Sequence, residues 1–122
     1  SAYLISSYLI SSYLISAYLT SSYLNSAYLN SANLNSANLN SANLNSAILL
    51  GTQLSTVQNL TSQQLDRETF PLICDATLPP ELEAYQDRDR NLLPAALKER
   101  YPELFESLEA AEKYINKNHP PS

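Results

Sequence analysis

The chain has 122 residues, enough for one domain with a modest core and too few for a second enzyme-sized unit. Its formal net charge is −5, and its 7 basic and 12 acidic residues all lie between Asp66 and Lys117. The single Cys74 excludes an internal disulfide, and one thiol lacks the spacing of a metal site.

Targeting signals are absent from the sequence. No apolar run approaches the roughly 18 residues needed to cross a bilayer, and the N-terminus lacks the charged and apolar regions of a secretory signal. The compartment is therefore undetermined, with the cytoplasm favoured. The chain starts at Ser1, in phase with a repeat and without Met, which suggests a processed form or a fragment.

A five-residue unit recurs through residues 1–55, from SAYLI and SSYLI to SANLN, SAILL and GTQLS. On an α-helix each unit would advance by about 140°, so its leucines would form no stripe. On a flat strand the odd period would send successive leucines to opposite faces. The pattern is consistent if the chain turns a corner once per unit. Four sides then give about 20 residues per coil, with residue n over residue n+20.

Two sets of positions follow from this geometry. The leucines predicted to face the core are Leu4, Leu9, Leu14, Leu19, Leu24, Leu29, Leu34, Leu39, Leu44, Leu49 and Leu54. The outward rows are Tyr3, Tyr8, Tyr13, Tyr18, Tyr23 and Tyr28, followed by asparagines that place Asn25 on Asn45. Stacked rings and amide ladders would stabilise the coil. A surface for a glycan, a flat apolar ligand or a protein is the alternative.

The A-(N/Y)-L-x-S unit resembles the pentapeptide-repeat family of the cyanobacterial type. The resemblance implies a right-handed quadrilateral β-helix, an all-β solenoid, with the central Leu and the small residue inside. It covers about half of the chain, where 11 consecutive units keep phase. Tyr replaces the usual Asp or Asn in the first six units, and the repetition is nearly perfect. An idealised or engineered version is therefore an open alternative.

The repeat is predicted to end after Ser55. The leucine phase slips there by one residue, which predicts a bulge or a corner that ends the regular coil. Thr61 with Gln64 predicts a capping box before a short helical turn. Residues 1–58 are thus the β-helix and 59–79 a terminating turn and loop. The latter segment also resembles the ending of many cyanobacterial pentapeptide-repeat proteins.

Residues 80–122 are predicted to form an acidic α-helical cap and tail. Pro94 and Pro102 are placed to open helices. The residues predicted to pack, on the open C-terminal end of the coil stack, are Leu104, Phe105, Leu108 and Ile115. The tail after Asn116 is expected to fray.

No catalytic constellation is found, and we expect no enzyme activity, cofactor or metal. The only histidine, His119, falls in the expected tail, and Cys74 is interpreted as a small buried thiol. One acidic cluster, interleaved with Arg88 and Arg90, is interpreted as a solvated, paired helix surface rather than a cation site. Its members are Glu81, Glu83, Asp87 and Asp89.

These features predict a structural or protein-interaction scaffold. The uncharged N-terminal coil, with its Tyr and Ile collar, favours a homo-oligomer by end-to-end stacking. A further protein partner is unknown, and neither nucleic acid nor membrane is expected. The family resemblance also implies DNA mimicry toward a type II topoisomerase, but this requires rows of carboxylates that the repeat lacks. Ligand binding by the Tyr rows is the third alternative.

Overall fold

The computed structural model describes residues 19–121. The elements are β1 (Ile48–Leu50), α1 (Ser62–Leu65), β2 (Leu72–Cys74), the 3₁₀ helix η1 (Pro80–Tyr85), α2 (Leu93–Arg100) and α3 (Leu108–Asn118). Before β1, isolated parallel bridges and turns alternate along the repeats. None of the helices described is both long and apolar enough to cross a membrane.

The repeats wind into a β-helix-like solenoid. Its parallel bridges join Tyr23 to Asn43, Tyr28 to Ile48, Asn33 to Gln53 and Asn38 to Gln58. Each bridge joins residues 20 positions apart, which is the register that the five-residue pattern predicts.

The corners of the solenoid are serines in a left-handed backbone conformation. At one of them the amide of Ala27 donates to the carbonyl of Leu24 at 3.1 Å, and the residue between, Ser26, has φ of 61°. A turn with positive φ at its third residue ordinarily takes Gly or Asn. The same conformation recurs at Ser21, Ser31, Ser36, Ser41, Ser46 and Gly51. Except at Ser41, the amides of these corner residues donate to the next coil at 2.7–3.2 Å.

The interior of the solenoid is a column of leucines and alanines. All eight predicted core leucines between Leu19 and Leu54 are buried in one cluster, together with Ala27, Ala32, Ala37, Ala42 and Ala47. Each fully buried leucine contributes about 1.5–3 kcal/mol. The remaining predicted core leucines, Leu4, Leu9 and Leu14, lie outside the described residues.

Of the two alternatives predicted for the phase slip after Ser55, the structure shows the end of the regular coil and not a one-residue bulge. The 20-residue register holds through Gln58, and the next pairs, Ile48 with Leu72 and Gln53 with Thr77, are 24 positions apart. Four extra residues are therefore inserted between Gln58 and Leu72. Leucines five apart in this stretch are not successive coil positions, since the chain folds into α1 instead.

The short helix α1 begins with the predicted capping box. The amide of Thr61 donates to Oε1 of Gln64 at 2.8 Å. The Gln64 amide nitrogen in turn donates to the carbonyls of Leu39 and Ala42, at 2.8 and 3.0 Å. The buried glutamine thus ties α1 to the coil beneath it, and Leu65 joins the core column.

The C-terminal end of the leucine column is covered by α1 and η1. Leu65, Leu78 and Leu82 belong to the same buried cluster as the coil leucines. We predicted that an apolar stripe of the C-terminal helices would cover this end of the column. That prediction is wrong. The C-terminal helices α2 and α3 pack on one side of the solenoid instead.

That side of the solenoid forms a second hydrophobic cluster. Its coil residues are Tyr28, Ile48, Leu50 and Leu72, and its helical residues include Leu93, Leu97, Phe105 and Ile115. In the unit SAILL, Ile48 and Leu50 occupy the two outward positions that hold Asn in the three preceding units. One face of the coil is thereby apolar and must be covered. Helices α2 and α3, with the turn between them, cover it.

Two of the four predicted packing residues are buried, and two are not. Phe105 and Ile115 are buried, whereas Leu104 and Leu108 are 59% and 45% exposed. The prediction assumed one helix opened by Pro102. Helix α3 instead begins at Leu108, where the Ser107 hydroxyl caps the amide of Ala110 at 3.0 Å. Leu104 therefore lies in the turn and not on a stripe with Ile115. Pro94 does stand in the first turn of α2, as predicted.

Candidate interaction surface

The helical module, residues 93–118, is fixed to the solenoid by three polar or aromatic contacts. The rings of Tyr28 and Tyr101 stack with centroids 4.8 Å apart and planes 18° apart. The side-chain amide of Asn30 donates to the Tyr114 hydroxyl at 2.6 Å. Arg100 donates to the corner carbonyl of Ser46. The module is therefore seated in one orientation on the coil face.

The Tyr rows are not uniformly available as a binding surface. Tyr23 is 40% exposed, but Tyr28 is only 2% exposed, because the helical module covers it. Tyr28 points away from the leucine column, but it is buried in the second hydrophobic cluster. The other row members, Tyr3, Tyr8, Tyr13 and Tyr18, lie outside the described residues.

The outward asparagines stabilise their own corners. The Oδ1 atoms of Asn33, Asn38 and Asn43 accept from the backbone amides two residues ahead, at 2.9–3.0 Å. This local hydrogen bond is the Asx pattern that favours Asn at turns. The predicted hydrogen bond between Asn25 and Asn45 is wrong, since Oδ1 of each is buried without a partner.

Arg88 is the centre of a network that sequence analysis underestimated. Its Nε donates to Asp89 Oδ2 at 3.0 Å, and its Nη atoms donate to the carbonyls of Leu65 and Pro71 at 2.8 and 3.0 Å. Its guanidinium lies 4.8 Å from the Phe70 ring centroid. The planar guanidinium can satisfy all these acceptors at once, which an ammonium cannot. Arg88 thus holds the segment between α1 and β2 against the chain after η1.

In the acidic cluster, Asp87 and Asp89 are paired with arginines, as predicted, but they lie in turns after η1 and Asp89 is not solvated. Asp89 is 3% exposed, and its Oδ2 accepts the buried amide of Ile73 at 3.0 Å. Asp87 accepts from Arg90 Nε at 2.8 Å and from the amide of Asp75 at 2.9 Å. Burial alone would raise the pKa of Asp87, but these hydrogen bonds outweigh it and lower the pKa. Glu81 and Glu83 are exposed.

Neither the candidate nucleophile, Cys74, nor the candidate base, His119, is positioned for a catalytic role. Cys74 is buried as predicted, and burial raises the pKa of its thiol to about 12, an effect that Arg90 opposes and Asp87 reinforces. A thiol with that pKa is not a nucleophile at neutral pH. Within residues 19–121, no three His, Cys, Asp or Glu side chains converge into a site for a metal ion.

The expectation that the tail frays after Asn116 is wrong for residues 117–119. Helix α3 continues to Asn118, and the buried His119 places Nδ1 at 3.2 Å from Asp75 Oδ2. Its ring fills the space above Gly51. In the sequence this contact is indicated by Gly51, because the preceding units have Ser at that corner.

Gly51→Ala is expected to displace the His119 ring and to lower the free energy of unfolding by about 1–2 kcal/mol. A Cβ on Gly51 would lie 2.3 Å from His119 Cε1, and φ there is +65°. Urea unfolding measures the change. In a His119→Ala background the penalty should shrink to the backbone strain alone. An equal penalty in both backgrounds would contradict the contact.

The helical module also presents an uncovered apolar surface. Leu104 lines a groove of about 540 Å³ with Tyr101 and Pro102. Pro102 also lines a second groove, of about 450 Å³, with Phe105 and Leu108. The two grooves lie on either side of the same proline, so they form one continuous surface on the turn between α2 and α3.

Comparison with known proteins agrees with the repeat architecture. Residues 12–49 and 22–57 match the family model for pentapeptide repeats, in 8 copies. Residues 12–57 are therefore similar to pentapeptide repeats, and the resemblance stated from the sequence is confirmed for this part of the chain.

One solved structure with 30% sequence identity is HetL, a pentapeptide repeat protein involved in heterocyst differentiation regulation, from the cyanobacterium Nostoc sp. strain PCC 7120. The likeness covers 63% of this chain and 29% of HetL, with a TM-score of 0.44. The matched part thus spans less than a third of HetL. No curated protein sequence matches this chain.

Proposed function

We propose that this chain is a non-enzymatic protein-interaction scaffold that self-associates through its N-terminal coil. In this proposal residues 1–58 form a quadrilateral β-helix, 59–79 terminate it, and 80–122 form the helical cap and tail. The observation that carries the proposal is the pair of hydrophobic clusters, which fix a rod and a lateral module to each other. Such an arrangement presents surfaces without providing a reactive centre.

The two ends of the described solenoid differ in chemistry. The C-terminal end of the leucine column is covered by Leu65 and Leu82. On the other side, residues 1–18 continue the same unit with leucine, tyrosine and isoleucine and without a single charge. Edges of parallel β structure that carry no charged residue favour pairing with a second chain. Head-to-head stacking of two N-terminal coils is the arrangement we propose.

Sedimentation velocity on the full chain tests the stacking. A species of twice the 13.5 kDa chain mass is expected at micromolar concentration. Charging the proposed interface with Tyr3→Lys and Tyr8→Lys should give a monomer, because two like-charged collars repel each other. Thr20→Lys, an exposed outward position farther along the coil, is the matched control and should leave the dimer intact. A monomeric parent chain at these concentrations would refute the proposal.

The two alternative functions gain no support. DNA mimicry needs carboxylates along the rod, and none of the 12 acidic residues precedes Asp66. Ligand binding on the Tyr rows would use neighbouring rings, whereas Tyr28 is already covered by Tyr101.

A further inference from the structure

The outer face of the helical module combines exposed leucines with carboxylates that have no counterion. We define this outer face as Pro102, Leu104 and Leu108 with Glu103, Glu106, Glu109 and Glu112. All four glutamates are exposed, and no Lys or Arg occurs between residues 101 and 112. The face therefore differs from residues 87–90, where Asp and Arg alternate, and from the uncharged repeat.

Two groups of carboxylates in the C-terminal half of the chain differ in their pairing. Those near the solenoid are used internally: Asp66, Asp87 and Asp89 each pair with Arg88 or Arg90. The four glutamates of the outer face make no ion pair within residues 19–121. Lys98, which lines the groove beside Leu108, and Lys113 bound the face without neutralising it. The negative charge of the face is therefore available to a partner.

The apolar part of the face consists of three adjoining grooves. Two of them, of about 540 and 450 Å³, meet at Pro102, and a third of about 360 Å³ shares Ala95 and Leu108 with the second. Leu104 and Leu108 are uncovered although the same module buries Phe105 and Ile115. An amphipathic helix places side chains at i, i+3, i+4 and i+7 into such grooves.

We propose that the outer face binds a basic amphipathic helix of a partner protein. Apolar side chains of that helix would occupy the grooves beside Leu104 and Leu108, and its Lys or Arg residues would pair with the glutamates. Charge complementarity selects this occupant, because a second copy of the acidic chain, an anionic membrane or nucleic acid would be repelled. The inference rests on the proposed scaffold function and names a partner class for it.

The probe is a short fluorescein-labelled peptide of leucine and lysine, with leucines at i, i+3, i+4 and i+7. Fluorescence anisotropy with the full chain should show binding that weakens as salt rises from about 50 to about 200 mM. Glu106→Lys with Glu109→Lys should weaken binding by about tenfold or more. Leu104→Ser with Leu108→Ser should weaken it similarly, because it removes the apolar contacts.

Glu81→Lys with Glu83→Lys is the matched control, since it makes the same charge change at two exposed glutamates of η1. It should leave binding within about twofold. Equal loss in both charge variants, or equal binding of a scrambled peptide of the same composition, would show attraction to net charge only and overturn the proposal. Absence of peptide binding, with Leu104→Ser and Leu108→Ser changing self-association, would show that a second copy occupies the face.

The two proposals can fail separately. The binding experiment is repeated in the Tyr3→Lys, Tyr8→Lys chain, whose substitutions lie outside the helical module. Peptide binding by the parent chain, if the parent chain is itself monomeric, would refute the stacking alone. A dimer whose outer face binds no basic helix would refute only the present inference.

Discussion

Replacing Ile48 and Leu50 by Asn is expected to detach the helical module and leave the coil folded. The change converts SAILL into SANLN, the unit that occurs three times immediately before it, so it agrees with the local coil geometry. Both side chains are fully buried in the second cluster, between the coil and α2 and α3. Loss of each large aliphatic side chain costs about 2–5 kcal/mol, and the new amides would be buried without partners.

Circular dichroism and limited proteolysis measure this separation. The double variant should lose the helical signal and become sensitive to cleavage between residues 93 and 118, while the coil stays resistant. Gln53→Asn is the control, because Gln53 is an exposed outward residue one unit further on, and it should change nothing measurable. Retention of the helical signal and of protection in the double variant would contradict the lateral docking.

Asp89→Ala is expected to lower the free energy of unfolding by about 3 kcal/mol. The substitution leaves the buried amide of Ile73 without its acceptor and removes the carboxylate that faces Arg88. Urea unfolding gives the value. Asp87→Ala, which removes a carboxylate 45% exposed in its pair with Arg90, should cost about 1 kcal/mol or less.

The double variant Arg88→Ala, Asp89→Ala tests whether the two residues stabilise the fold as a pair. If the uncompensated charge causes most of the loss, removing Arg88 as well should cost less than the sum of the single changes. Additive losses would mean that the two residues do not act together, contrary to their 3.0 Å contact.

The coil register could be predicted because its determinants are local and repeated. Each unit contains its own corner residue, which is Ser in all of them except at Gly51, its inward leucine and its small residue, so one rule accounts for all coils from Leu19 to Leu54. The slip in leucine phase indicated where the regular coil ends, but not that four residues are inserted, since Leu60 and Leu65 keep the five-residue interval while belonging to different structures. The capping box at Thr61 was the more reliable signal there, because it reports on one local hydrogen bond.

The position of the helical module required long-range information. An amphipathic pattern indicates that a helix needs a partner but does not say which surface supplies it. The relevant signals lay in the repeat itself, where Ile48 and Leu50 interrupt a run of outward asparagines and Gly51 replaces a corner serine. Each marks a contact with residues more than 20 positions away. Similarly, Asp89 could not be distinguished from its solvated neighbours, because its burial depends on Ile73 and Arg88.

The most direct test of lateral docking is a proton–proton NOE experiment on the full chain. The account predicts contacts between the stacked rings of Tyr28 and Tyr101, and between Ile48 and Ile115 or Leu97 of the module. NOEs from α3 to Leu54 or Leu78 at the end of the leucine column, without any from Tyr101 to Tyr28, would contradict it.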